Sequence, residues 1–133
     1  MALDQTFAKG VNDYIHNVAA APTLSNARKL KLCSNTGTST TAGTEVATGG
    51  GYTAGGVTVT YSAATAATPS VSANAAVSIT NTPAWGSVAS IELTDAAGTP
   101  VRLEFGAITG GPKSTNSGDT LSFSAGSITS ALQ

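Results

Sequence analysis

The chain has 133 residues, the size of one ordinary domain, with 41% apolar residues, only 10% charged residues and a net charge of −1. So small a charge sets up no long-range field, which excludes binding to nucleic acid or acidic lipid by bulk electrostatics. One cysteine and one histidine exclude an internal disulfide, a multi-cysteine metal site and the two- and three-histidine metal centres.

Between Ala2 and Ala21 the apolar side chains fall at Leu3, Phe7, Val11, Tyr14, Ile15 and Val18, the spacing of one helical face. The spacing predicts an amphipathic helix over residues 1–21, with Asp4 supplying negative charge to its first turn and Pro22 stopping it. Gly10 weakens its middle. His16 lies one position from the apolar stripe and reads as a helix-surface residue.

After Pro22 the period changes from 3.6 to 2. Leu30 and Leu32 alternate with Lys29 and Lys31, and Val57, Val59 and Tyr61 with Thr58, Thr60 and Ser62. Val77 and Ile79, Ile91 and Leu93, then Val101, Leu103 and Phe105 repeat the pattern, the last against Arg102 and Glu104. Leu121 and Phe123 follow, and residues 127–132 offer a final strand. Asp95–Pro100, "DAAGTP", closes a hairpin from Ser87 to Phe105. On its outer face Arg102 is expected to meet Glu92 at an exposed site. A second hairpin is expected at "SAGS", Ser124–Ser127. Cys33 reads as a small core residue on a strand, Trp85 as a core aromatic at a strand entrance, and the basic trio Arg28, Lys29 and Lys31 as protection of a solvated edge.

Seven or eight short strands at turn-punctuated intervals predict a mainly β chain, an antiparallel, jelly-roll-like β-sandwich over residues 28–132 with one N-terminal amphipathic α-helix, all in a single domain. No apolar run approaches the roughly 18 residues that cross a bilayer, and the N-terminus lacks a secretory pattern. The chain is therefore expected in the cytosol unless it leaves inside a larger assembly.

Reactive constellations are missing. The seven carboxylates, Asp4, Asp13, Glu45, Glu92, Asp95, Glu104 and Asp119, have no calcium-loop spacing. Glu92 and Glu104 on neighbouring strands have the residue types of a glycosidase pair, but Arg102 and a Ser/Thr outer face describe an ordinary solvated surface. "GAITGGPKS", Gly106–Ser114, fails as a phosphate loop because Pro112 stands where the motif wants Gly. "GTEVATGGGYTAGG", Gly43–Gly56, holds six glycines yet runs into a strand, not a helix N-terminus. It reads as a mobile loop in which Tyr52 supplies the one sizeable contact surface. No enzyme, cofactor or metal is expected. A carbohydrate-binding module is disfavoured by too few aromatics.

The order of "AGTEVATGGGY", "AWGSVASIELTDAAGTPVRLEFGAI" and "TNSGDTLSFSAGSIT" after an N-terminal helix resembles a family of small tailed-bacteriophage virion structural proteins, often labelled tail fibre protein and related to head decoration or cement proteins. The resemblance spans nearly the whole chain, with the matching blocks at Gly43–Tyr52, Trp85–Ala97 and Ser117–Ser127. It implies a protein made in the host cytoplasm and carried on the virion, more on the capsid surface than the tail. Its partners would be the major capsid protein and other copies of itself, as a homotrimer, with no nucleic acid and no membrane. The alternative is a fibre or baseplate-associated tail component that touches a host receptor or glycan. Candidate assembly contacts are Phe7, Val11, Tyr14, Ile15, Val18 and Tyr52.

Overall fold

The computed structural model describes residues 1–67 and 70–131. In chain order the elements are β1 (Ala2–Leu3), α1 (Gln5–Ile15), β2 (Arg28–Cys33), β3 (Val57–Val59), β4 (Ser70–Ser72) and β5 (Val77–Thr82). They continue with β6 (Gly86–Val88), β7 (Ser90–Asp95), β8 (Arg102–Ala107), β9 (Lys113–Thr115), β10 (Asp119–Phe123) and β11 (Thr129–Ala131). The chain is mainly β, with antiparallel pairing throughout and one N-terminal helix. A five-stranded sheet runs β1-β8-β7-β2-β3, and three two-stranded ribbons pair β10 with β5, β11 with β4 and β6 with β9.

The alternating pattern places Leu30, Leu32, Ile91 and Leu93 on one face of the large sheet, because Leu30 pairs with Leu93 and Leu32 with Ile91. This face joins Val77, Ile79 and Leu121 from the β5/β10 ribbon, and Val88, Ala73 and Ile128, in one buried cluster. Removing that apolar surface from water is the main stabilising term.

Several expectations are corrected. The helix occupies Gln5–Ile15, not residues 1–21. Asp4 is its N-cap and accepts from the N–H groups of Thr6 and Phe7. Upstream, Ala2 and Leu3 are extended and pair with Phe105 and Glu104. The helix ends well before Pro22, where His16 caps it and Asn17 turns to φ +57°. Gly10 has a packing role, since a Cβ there would stand 3.0 Å from Pro22 Cγ as the chain returns over the helix.

The basic strand β2 is no edge: it lies between β7 and β3. Lys29 Nζ donates to Thr58 Oγ1 at 3.0 Å, and Lys31 pairs with Glu45 at 3.1 Å. The hairpin at residues 95–100 forms, joining β7 to β8. Ser87 and Val88, expected within it, belong to β6, which pairs instead with β9. The turn at Ser124–Ser127 also forms, with Gly126 at φ +80°. No hairpin results, because β10 goes to β5 and β11 to β4. Leu132, the end of the expected last strand, lies outside the described residues.

The largest departure is a β-bulge in β8. Leu93 pairs with Glu104 and Thr94 with Arg102, so Leu103 is an extra residue on β8. The bulge inverts the phase of the strand. Glu104, expected outside, is 4% exposed, and Phe105 shares the opposite face with Arg102.

Candidate functional site

Three places in the fold concentrate polar or apolar side chains with a consequence for function. The first is the glycine stretch. Tyr52 is fully buried, so it is withdrawn from the set of surface contacts. Its hydroxyl donates to Glu45 Oε1 at 2.7 Å and accepts from Leu32 N–H at 3.1 Å, while its ring meets Trp85 edge-on at 5.5 Å. Trp85 is half-buried against the core and donates its indole N–H to the Ala47 carbonyl.

Glu45 gathers the loop. Burial works against its ionisation, but hydrogen bonds from Tyr52 and the Gly55 N–H, with Lys31 beside it, outweigh that and hold its carboxyl below the usual range. Burial and the hydrogen bond to Glu45 push the Tyr52 phenol upward. Gly50, at φ +57°, allows the close approach of this loop to β5, because a Cβ there would stand 1.8 Å from the Asn81 carbonyl oxygen. The stretch is a packed loop, not a mobile one.

The second place is Arg102. Its guanidinium donates from Nε to Asp4 at 2.9 Å and from Nη1 to Glu92 and the Thr41 carbonyl, both at 3.0 Å. Its Nη2 reaches the Thr38 carbonyl and, at 2.8 Å, Asp4 Oδ2. The expected pairing with Glu92 is present, but it is buried: the Arg102 and Glu92 side chains are 11% and 2% exposed. The segment after β2 closes over this face, where Gly43 N–H donates to Glu92 Oε1 at 2.7 Å and Ser90 Oγ to the Asn35 carbonyl. The cluster thus fastens the helix cap, β7 and the covering segment together.

The third place is the helix face. Phe7 packs against the core and Val11 is half-buried, whereas Tyr14, Ile15 and Val18 are 57%, 66% and 74% exposed. Leu3 belongs to β1, not to the helix. The expected stripe is divided: its beginning anchors the helix and its end faces outward.

No family model matches this chain, and no curated protein does either.

The remaining titratable groups separate. Glu92 and Glu104 lie on opposite faces of the sheet, because Glu104 pairs with Leu93 and Glu92 with Phe105. That removes the carboxylate pair. Cys33 is fully buried, and desolvation, with Glu92 adding to it, pushes its thiol up to about 12. His16 is exposed. Among the described residues no group of three or more His, Cys, Asp or Glu side chains is arranged to hold a metal ion, and no helix is long and apolar enough to cross a membrane.

Glu104 instead borders a cleft of about 660 Å³ whose walls include Phe7, Leu24, Val59, Val71 and Leu103. Ser130 Oγ donates to its Oε1, and its Oε2 has no hydrogen-bond partner among the described residues. Tyr61, bridged in extended pairing to Ala73, borders the same cleft, and its buried hydroxyl also has no partner among the described residues. Burial raises the Glu104 carboxyl above its ordinary range, although Ser130 and the chain's amino terminus pull it down. Burial and the Glu104 charge push Tyr61 up to about 12. Sequence periodicity hid this site because the bulge carries Glu104 to the core side.

Proposed function

We propose that this chain is a bacteriophage virion structural protein, a capsid decoration or cement protein that stands on the outer shell as a small oligomer, a trimer, and stabilises it. The five-stranded sheet and its ribbons are, on this reading, a jelly-roll-like sandwich. The observation that carries the reading is the outward end of α1. Tyr14 and Ile15 at the end of α1, with Val18 just beyond its cap, expose three large apolar side chains in a five-residue span, and the other end of the helix is tied to the core through Asp4 and Arg102. A surface of that kind loses free energy when a second surface covers it.

The ordered blocks that resemble those of small tailed-phage structural proteins support the same role. So does the low charge, since near-neutral copies crowd on a shell without mutual repulsion. Three modest contacts suffice, because linking them makes the later binding events intramolecular and raises avidity by about 10²–10⁴. The chain carries no enzyme activity on this reading.

The test replaces Tyr14→Gln, Ile15→Lys and Val18→Gln together and compares sedimentation and capsid binding with the parent chain. The parent is expected to sediment as a small oligomer and to saturate shells lacking it. The variant, with unchanged circular dichroism and melting temperature, is expected to be monomeric and to bind weakly. A parent chain that stays monomeric and leaves shells unbound overturns the reading. Quantitative mass spectrometry of virions decides the location: hundreds of copies in near-integer ratio to the major capsid protein mean decoration, and a handful mean the tail.

A further inference from the structure

The cleft beside Glu104 has the chemistry of a binding site independent of the assembly role. A carboxylate on a residue only 4% exposed leaves Oε2 without a partner among the described residues, and the Tyr61 hydroxyl on the same cleft is buried and equally unmatched among them. Unmatched buried polar atoms are costly, and in native proteins each is expected to have an explanation. Here both border one space whose walls mix apolar side chains with polar ones such as Asn26, Thr58 and Thr60, and its volume falls within the roughly 300–1,000 Å³ of small-ligand pockets.

We propose that this cleft binds a primary ammonium group carried on an apolar stem, with Glu104 and Tyr61 receiving the head group and Leu24, Val59, Val71 and Leu103 receiving the stem. The head group follows from donor counting. An ammonium brings three donors and no acceptor, so it serves Glu104 Oε2 and the Tyr61 oxygen at once. A hydroxyl brings a single donor, and an anionic head meets a buried carboxylate. A charged donor on a carboxylate also makes a hydrogen bond roughly twice as strong as a neutral one.

The other charges nearby are those of Arg28 and the chain's amino terminus. Arg28 borders the cleft, with its Nη1 taken by the carbonyl oxygens of Ser25 and Ala27, and the chain's amino terminus acts on Glu104 without offsetting its burial. Two sources supply this chemistry, a free alkylamine or the side chain of a lysine on another protein.

The test titrates the full chain with n-hexylammonium, 1-hexanol and Nα-acetyl-lysine methylamide, following backbone amide shifts by NMR. Hexylammonium is expected to bind saturably, shifting Tyr61, Leu103 and Glu104, and more tightly than hexanol by about tenfold. Glu104→Gln is expected to remove that advantage while hexanol binding stays, and Tyr61→Phe to reduce it in part; an amide spectrum with parent-like dispersion certifies that each variant folds. Binding of the lysine derivative assigns the source to a protein side chain, and binding of the free amine alone assigns it to a small molecule; either sustains the proposal. No saturable binding, equal affinity for hexanol, shifts elsewhere on the fold, or an unaffected Glu104→Gln variant overturns it.

Discussion

At the residue scale Arg102 carries an unusual number of obligations. A guanidinium has five N–H donors, and four hydrogen bonds run from it to Asp4, Glu92 and the carbonyls of Thr38 and Thr41, with Nη2 also ion-paired to Asp4. Truncation leaves two buried carboxylates without their cation, so Arg102→Ala is expected to cost about 3–5 kcal/mol in a urea denaturation experiment, a large part of a total stability of about 5–15 kcal/mol. Arg102→Lys retains the charge but not the fork, and its midpoint is expected to fall between those of Arg102→Ala and the parent. Glu104 has the opposite sign. Its carboxyl is raised on folding, so the folded state binds more protons than the unfolded chain, and stability falls as pH rises from the ordinary carboxylate range through the raised value. Glu104→Gln removes this fall, and the variant is expected to melt higher than the parent at pH 7 and at nearly the same temperature at pH 4. The thiol of Cys33 belongs here too. Buried and pushed up to about 12, it is expected to resist a disulfide reagent in the folded chain and to react at once in denaturant.

At the scale of elements, the strands with clean alternation were legible. Leu30 and Leu32, Ile91 and Leu93, and Val77 and Ile79 lie in the buried cluster as their period requires. Where one element's phase depends on another, the pattern misled. The bulge at Leu103 exists through pairing of β8 with β7, and nothing in "VRLEF" announces it, so Glu104 and Phe105 exchange faces. Strands β4, β6 and β9, three residues each, are too short for a period to show. Tyr52 was misjudged for a similar reason. Glycine density reads as looseness, yet Gly50 serves contact between two backbones, and only the folded chain reveals its neighbour. Alanine at Gly50 must hold a positive φ and displace the Asn81 carbonyl, so Gly50→Ala is expected to lower stability by at least about 2 kcal/mol, read as a shift of the urea midpoint.

At the scale of the molecule, the two faces of the large sheet have different characters. One meets apolar ribbons; the other is roofed by the segment after β2 through Arg102, Glu92 and Gly43. All six residues of β7 are consequently buried, in a strand whose Glu92 and Thr94 suggested a wet exterior. The roof comes from polar side chains and backbone groups at separations no local pattern records, such as Gly43 to Glu92 across 49 positions.

The tie between Asp4 and Arg102 spans 98 positions, and Ala2 pairs with Phe105. During synthesis, at about 5–20 residues per second, the segment carrying Phe7 and Tyr14 exists for several seconds before the strand that fixes it has been made. Throughout that interval its apolar face has no intramolecular cover. Residues 2–15 therefore take their native place only after β8 is in hand.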